Sequence, residues 1–160
     1  MAWAPAGQAG ERGAGDGAVL CTGTSVSTFD PPLTLVPRST HIHVDASYTC
    51  GVAPGRTVEA VGVLDGQAPQ GSCLGHTGPA RTEIVRYADG ERSVIVYPDM
   101  TTVRAGGALY NRLTGRVVEG RGKGRTATRT TPALSGQPST DCLTPGLRGS
   151  SGHTQLEIHP

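Results

Sequence analysis

His41, His43 and Asp45 come closest in this sequence to a group of residues that could do chemistry. If their segment is a β-strand, all three side chains point to one face, with the two imidazoles about 7 Å apart at a rise of ~3.4 Å per residue. A His-x-His pair of this kind can hold a divalent metal ion. The polar pattern continues through Ser47 and Thr49, however, and the sequence forces no further ligand nearby. We therefore predict a solvated strand face and no metal site.

Other sequence patterns typical of enzymes lack their required context. The sequence has no G-x-S-x-G motif, and the aspartates Asp65, Asp89 and Asp99 fall in segments that favour turns. The glycines of Gly120-x-Gly-x-Gly124 precede no predicted helix, whereas a phosphate-binding loop requires one. We predict a protein without enzymatic activity and without a cofactor.

Positive charge is concentrated in one block of a chain whose net charge is only +1. Residues 1–100 hold six Arg and ten acidic residues, a net charge of −4, whereas residues 101–129 hold six Arg, one Lys and one Glu, a net charge of +6. Such a block can bind an anionic partner, or it can protect a sheet edge from aggregation. Aromatic residues for base stacking are not interleaved with it, so nucleic acid is not a predicted partner. The predicted partner contacts are Arg116, Arg121, Lys123 and Arg125.

The four cysteines, at positions 21, 50, 73 and 142, form no C-x-x-C pair, so a zinc site is not predicted. An even number of cysteines in a small chain is typical of disulfides and of an oxidising compartment. Of the three possible connectivities we favour Cys50 with Cys73 and Cys21 with Cys142, which would tie neighbouring strands and then the two ends of the domain. Four free thiols in a cytosolic protein are the alternative. We predict a secreted, extracellular protein.

The composition favours an all-β domain with a thin core. Leu, Ile, Val and Phe together number 30 of 160 residues, whereas Gly and Pro number 36. Residues 40–50 alternate strictly between apolar and polar, which predicts a half-buried strand, and Asp89-Gly90 predicts a hairpin turn. No helix is predicted. Seven to nine short strands predict a small, disulfide-stapled Greek-key β-sandwich or barrel, similar to an immunoglobulin domain.

The predicted organisation is a flexible Ala- and Gly-rich arm over residues 1–20 and a single β-domain over residues 21–160. Trp3, the only tryptophan, lies on this arm and is a candidate partner contact. No run of 18 apolar residues occurs, so membrane insertion is not predicted. Residues 1–20 also show no readable export signal, which suggests that the chain begins late.

Several local boundaries follow from breakers and turn residues. Asp30-Pro31-Pro32 is predicted to end the first strand, and Thr114-Gly115 is predicted to form a turn. Residues 65–81 are rich in Gly and Pro and predict a loop. Residues 120–132 fit only a polar edge strand, and residues 143–147 and 152–158 predict closing strands.

Six short motifs between residues 21 and 158 resemble those of a group of small secreted actinobacterial proteins. The motifs are Cys21-Thr-Gly-Thr24, Phe29-Asp-Pro-Pro-Leu33, Tyr48-Thr-Cys50, Gly71-Ser-Cys73, Cys142-Leu-Thr-Pro-Gly146 and Ser151-Gly-His-Thr-Gln-Leu156. Some such proteins look like the adaptor subunit of umbrella toxin particles. In these particles a small secreted protein joins a lectin-bearing, protease-like subunit to a long toxin polypeptide. The resemblance implies non-enzymatic assembly and assigns no contact residues.

The leading functional prediction is therefore a secreted, non-enzymatic protein-binding or adaptor domain, linking subunits of an extracellular antibacterial toxin complex. An extracellular protease inhibitor or a module that recognises cell-wall polymers is the alternative prediction.

Overall fold

The structure, a computed structural model, describes residues 18–73, 80–105, 108–132, 142–143 and 145–160. Eight strands account for most of them: β1 (Val19–Leu33), β2 (Arg38–Ala53), β3 (Arg56–Gly71), β4 (Arg81–Tyr87), β5 (Arg92–Ala105), β6 (Ala108–Gly120), β7 (Thr126–Pro132) and β8 (Leu147–Ile158). No helix within these ranges is long and apolar enough to cross a membrane. The all-β class predicted from the sequence is confirmed.

The strands form one closed barrel in which each strand pairs antiparallel with its neighbours in the chain. β8 closes the barrel on β1, with Val19 opposite Ile158 and Thr28 opposite Gly149. Of the predicted alternatives the barrel is correct, but the Greek-key, immunoglobulin-like order is wrong. A Greek key requires a strand that leaves its chain neighbour to pair elsewhere. Here every described strand stays beside the strand that precedes it.

Side-chain alternation explains which face of each strand turns inward. In β2, Ile42, Val44 and Tyr48 are buried, whereas His41 and Asp45 are exposed, as the sequence predicts. The remaining inward positions follow the same period of two. Such alternation builds a barrel from few large apolar residues, since each strand contributes only its inner face.

The hairpin predicted at Asp89-Gly90 is confirmed, because β4 ends at Tyr87 and β5 begins at Arg92. Gly90 has a φ of 93°, a conformation that glycine adopts without steric cost. The Tyr87 backbone N–H donates to the Glu91 carbonyl and closes the turn at 2.9 Å.

The predicted strand breaks at Pro31-Pro32, at residues 65–71 and at Thr114-Gly115 are wrong, because β1, β3 and β6 run through them. In β3 the pairing with β2 shifts by one residue between Ala68 and Gly71. Pro69 lies in this bulge, where a missing N–H disturbs the ladder least. A Cβ at position 115 would collide with the backbone of Val96, so Gly115 permits close strand approach rather than a turn.

The end of the chain also differs from the prediction. β7 pairs with both β6 and β8 and is not an edge strand. β8 starts at Leu147, so it contains only the last residue of the closing strand predicted at residues 143–147, whereas it contains all of the one predicted at residues 152–158. β1 starts at Val19, so the predicted arm contributes its last two residues to the barrel. Residues 1–17, with Trp3, lie outside the described residues.

All four cysteines form disulfides, but the predicted pairing is wrong. Cys21 is bonded to Cys50, and Cys73 is bonded to Cys142. The barrel explains the first bond, because β1 and β2 pair in a register that places Cys21 directly opposite Cys50, with their Cα atoms 4.0 Å apart. The second bond joins the end of β3 to the segment before β8. Spacing along the chain could not reveal this register.

Candidate functional site

The interior of the barrel has two unlike halves. The half in which β1 begins and β2 ends is filled by buried apolar side chains around the Cys21–Cys50 disulfide. These side chains include Val19, Val85, Ile95, Val117, Leu156 and Ile158. The hydroxyls of Tyr87 and Ser93 hydrogen-bond at 2.8 Å on the same side of the barrel. This half is a packed core.

A cluster of four polar side chains crosses the middle of the barrel. The Glu83 carboxylate accepts hydrogen bonds from the hydroxyls of Tyr48, at 2.8 Å, and Tyr97, at 2.7 Å. Arg129 donates from Nε to the Tyr48 oxygen at 3.1 Å, and the same nitrogen lies 3.5 Å from Glu83 Oε1. Glu83 is 0% exposed and Arg129 is 3% exposed. The cluster therefore satisfies a buried charge pair with hydrogen bonds in addition to its mutual attraction.

The electrostatics shift the pKa values of both tyrosines and of Arg129 in this cluster. Burial, together with the Glu83 charge, holds the pKa of Tyr48 and of Tyr97 far above the ordinary tyrosine value, so both hydroxyls stay neutral donors. Burial alone would lower the pKa of Arg129, but Tyr48 and Glu83 raise it above its ordinary value. The guanidinium is therefore charged at every pH at which the barrel is folded.

Gly62 on β3 makes room for the cluster. A Cβ at this position would lie 2.5 Å from Glu83 Oε2 and 2.8 Å from Tyr48 Cε2. Any larger residue would push the carboxylate away from the tyrosine hydroxyl. The sequence thus encodes the site partly through a glycine in the middle of a strand.

Above this cluster, in the half where β1 ends, the barrel contains a cavity of about 70 Å³. Apolar side chains form one part of its wall: Phe29, Ile42, Val44, Leu64, Met100 and Leu113. Polar side chains form the other part: Ser25, Ser27, Arg81, Asn111, Arg129, Thr131, Ser150 and Ser151. Pro132 and Gly152 complete the wall. Ser151 is exposed, so the cavity reaches solvent at this rim.

Arg129 links the polar cluster to the cavity. Its Nε belongs to the cluster, but its Nη2 is buried and makes no hydrogen bond to any described residue. Buried N–H donors normally have partners, and leaving one without a partner costs about 1–3 kcal/mol. Arg81, which is 5% exposed, places a second guanidinium in the same wall, and its Nη1 lies 3.4 Å from Met100 Sδ. The cavity therefore combines an apolar wall with buried cationic donors.

The cavity wall is suited to binding rather than to nucleophilic catalysis. Four serines line it, yet the lining that the structure describes includes no His, Asp, Glu or Lys that could activate a hydroxyl. Glu83 is already committed to Tyr48 and Tyr97. A nucleophile needs such a base within hydrogen-bond reach.

His41 and His43, considered as metal ligands from the sequence, lie on the outer face of β2. Both imidazoles contact Asp65 Oδ1, at 2.8 Å from His41 and 3.1 Å from His43, and His43 also lies 3.2 Å from Asp45. The hydrogen bond that Asp65 accepts from His43 raises the pKa of His43 and lowers the pKa of Asp65. Within the described part of the chain, no group of three His, Cys, Asp or Glu residues could hold a metal ion.

The basic residues predicted to contact a partner do not form one equivalent set. Arg121 is 16% exposed, donates to Asp89 at 2.7 Å and stacks on the Tyr87 ring with its guanidinium carbon 4.4 Å from the centroid. It therefore covers the packed end of the barrel. Arg116 is exposed and donates to the Gly124 carbonyl at 3.1 Å, and Lys123 is exposed. Arg125 is half-buried, and contact of any of these residues with a partner remains a prediction.

Sequence reasoning missed Glu83, Arg129 and the cavity they adjoin. The signal available in the sequence was the alternation of inward and outward side chains along each strand. Glu83 occupies an inward position like Val85 and Tyr87 in β4, and Arg129 occupies one like Ala127 in β7. A charge at an inward position of an alternating strand indicates a buried partner or a ligand. Which partner it meets depends on the barrel register, which the sequence does not show.

Comparisons with protein-family models, with curated proteins and with solved structures find no match to this chain. Its function is therefore inferred from the cavity and from the groups that line it.

Proposed function

We propose that this chain is a secreted, non-enzymatic binding domain that holds a small molecule inside the barrel. The observation that carries the proposal is the cavity between the buried polar cluster and the open rim. An eight-stranded barrel is just wide enough to be filled by side chains or to hold one small ligand. In this barrel side chains fill one half, and the cavity in the other half would hold the ligand.

The wall of the cavity indicates the shape of the ligand. Phe29, Ile42, Val44, Leu64 and Leu113 would contact a hydrocarbon body, and the polar groups would orient one end of it. A water's share of liquid volume is about 30 Å³, so a cavity of about 70 Å³ corresponds to about two waters, and the body of a longer ligand would extend through the rim at Ser151. The ligand, or the part of it inside the barrel, therefore has few non-hydrogen atoms.

The two disulfides support a site that is formed before the ligand binds. The Cys21–Cys50 disulfide fixes β1 to β2, and the Cys73–Cys142 disulfide fixes the end of β3 to the segment before β8. A site that is formed before binding loses less conformational entropy when the ligand enters. Two disulfides are also typical of proteins from oxidising compartments, which supports secretion.

Filling the cavity tests this proposal. Ser27→Leu introduces an apolar side chain into the wall, whereas Ser47→Leu makes the same change on the exposed outer face of β2. Hexanoate and hexanamide serve as probes in calorimetric titrations of the full chain. We expect saturable 1:1 binding of at least one probe to the parent chain and to Ser47→Leu, and loss of that binding in Ser27→Leu. Equal binding to all three proteins, or to none, would contradict the proposal.

An adaptor role is a second proposal, and exposed apolar side chains support it. Val36 is 70% exposed and Leu143 is 64% exposed, and both adjoin segments tied together by the Cys73–Cys142 disulfide. The Cys73 N–H donates to the Thr34 carbonyl at 2.8 Å, which fixes the chain leading to Leu35 and Val36. Exposed apolar groups gathered at one place are typical of protein contacts.

The adaptor proposal is tested by co-purification from actinobacterial culture medium. We expect the full chain to retain lectin-bearing, protease-like and large toxin polypeptides, and Val36→Asp combined with Leu143→Asp to lose them. Val118→Asp, a change at another exposed apolar residue on β6, is the matched control. Retention of a single protease alone would favour the inhibitor alternative.

A further inference from the structure

We propose that the polar end of the ligand is a carboxylate, which Arg129 binds at the floor of the cavity. This inference rests on the proposed small-molecule function and names its ligand class. The ligand would be a short monocarboxylate with a hydrocarbon body. Its head would meet Arg129, and its body would lie against the apolar wall.

The Arg129 side chain is fixed in orientation and has one nitrogen without a described hydrogen-bond partner. Its Nε is engaged by Tyr48 and Glu83, which fixes the plane of the guanidinium. Its Nη2 is buried and has no hydrogen-bond partner among the described residues, and Arg129 lines the cavity. The protein thus holds a rigid, charged donor at the cavity wall without supplying its acceptor. An oxygen atom of the ligand would accept a hydrogen bond from this donor.

The surroundings of Arg129 favour an oxygen that carries negative charge. Hydrogen bonds between a guanidinium and a carboxylate are about twice as strong as neutral ones. Glu83 cannot turn toward Nη2 without giving up the hydroxyls of Tyr48 and Tyr97, since each of its oxygens accepts one of them. Arg81 adds a second buried guanidinium to the wall, so the surroundings of the head favour an anion.

The apolar part of the wall disfavours anions that carry more than one charge. The cavity volume is about 70 Å³, and much of its wall is formed by Phe29, Leu64 and Leu113. A phosphate dianion would lose its hydration against those side chains, and they donate no hydrogen bonds to replace those of the lost water. A carboxylate carries one charge, and its hydrocarbon body gains by burial against the same wall.

The experiment compares hexanoate with hexanamide, which match in shape but differ in charge, on the intact disulfide-bonded chain. We expect hexanoate to bind at least tenfold more tightly at neutral pH, and the difference to vanish when the acid is protonated at low pH. Equal affinities would overturn the carboxylate inference and leave the small-molecule function standing. Absence of binding by both probes would overturn both.

Variants then locate the anion. Replacing Arg129 alone would strand Glu83, so the charge pair is removed together by Glu83→Gln with Arg129→Gln. We expect this double variant to bind hexanoate no more tightly than hexanamide, whereas the parent chain prefers hexanoate. Retained preference for hexanoate would overturn the assignment to Arg129 and move the anion to another cation, with Arg81→Gln as the variant to test. If the double variant does not fold, the comparison of hexanoate with hexanamide on the parent chain still decides the inference.

Discussion

The Tyr48 hydroxyl donates a hydrogen bond to Glu83 Oε2 at 2.8 Å, joining β2 to β4 above the intervening β3. Gly62 of β3 lies beneath this contact and leaves space for it. Tyr97 and Arg129 reach the same carboxylate from β5 and β7. Four strands are therefore fastened together through one buried acid, and the cluster marks where the packed half of the barrel ends and the cavity begins.

Removing the charge of that acid should destabilise the barrel. In Glu83→Gln the buried Arg129 guanidinium loses its only described buried counter-charge, and breaking a buried pair from one side costs about 3–5 kcal/mol. Urea unfolding of the parent and variant measures the loss. Glu59→Gln is the control, because Glu59 is exposed and its carboxylate accepts only from the Thr49 hydroxyl among the side-chain hydrogen bonds described. A loss in Glu83→Gln no larger than in this control would contradict the account of the cluster.

The disulfide connectivity gives a second prediction. Peptide mapping without reduction should recover Cys21 linked to Cys50 and Cys73 linked to Cys142. On the chain-entropy model each bond contributes about 3–5 kcal/mol, with more from the second because it spans 69 residues rather than 29. Replacing both cysteines of a disulfide with serine should lower the free energy of unfolding in urea. The loss should be larger for the Cys73–Cys142 bond than for the Cys21–Cys50 bond. Recovery of Cys50 linked to Cys73 would contradict the barrel register.

Much of the fold could be predicted from local pattern, but little of the site could. The alternation around Tyr48 and the turn at Gly90 depend on residues near one another in sequence, so the strand and hairpin were predictable. The pairing of Cys21 with Cys50 depends on strand register, which local pattern does not determine. Arg129 and Glu83 meet only after the barrel closes, because 46 positions separate 83 from 129.

The outer contact between His43 and Asp65 predicts a small pH dependence. The pKa of His43 is raised by its bond to Asp65, so its contribution is complete below the ordinary value of 6.5 and is lost as pH rises through the folded value. The pKa of Asp65 is lowered, so its contribution is present above 3.8 and is lost as pH falls through the folded value. The contact thus stabilises most between these limits.

His43→Gln measures this effect. The two side chains are 35% and 52% exposed, so the loss of unfolding free energy should stay below about 1 kcal/mol. Thermal unfolding should show the largest difference from the parent near pH 5.5 and a smaller one at pH 8. His153→Gln, at an exposed histidine of β8, is the control. A difference that grows from pH 5.5 to pH 8 would contradict the sign of the shift.

Arg121 should act on stability, whereas its neighbour Lys123 should not. Arg121→Gln loses the ion pair with Asp89 and the stacking on Tyr87, so it should lower the unfolding midpoint in urea. Lys123→Gln changes an exposed side chain and should leave the unfolding midpoint in urea unaltered. Equal midpoints for both variants would mean that Arg121 does not hold the packed end together.

Amide chemical shifts during a hexanoate titration show whether a ligand binds inside the barrel. The isotope-labelled chain reports on the cavity wall, on the packed end and on the outer face in one experiment. We predict saturable shifts at Ser25, Leu113 and the Arg129 Nε–H, with no change at Cys50 or at the outward Val61. Shifts that never saturate, or that gather on the outer face, would contradict a ligand held inside the barrel.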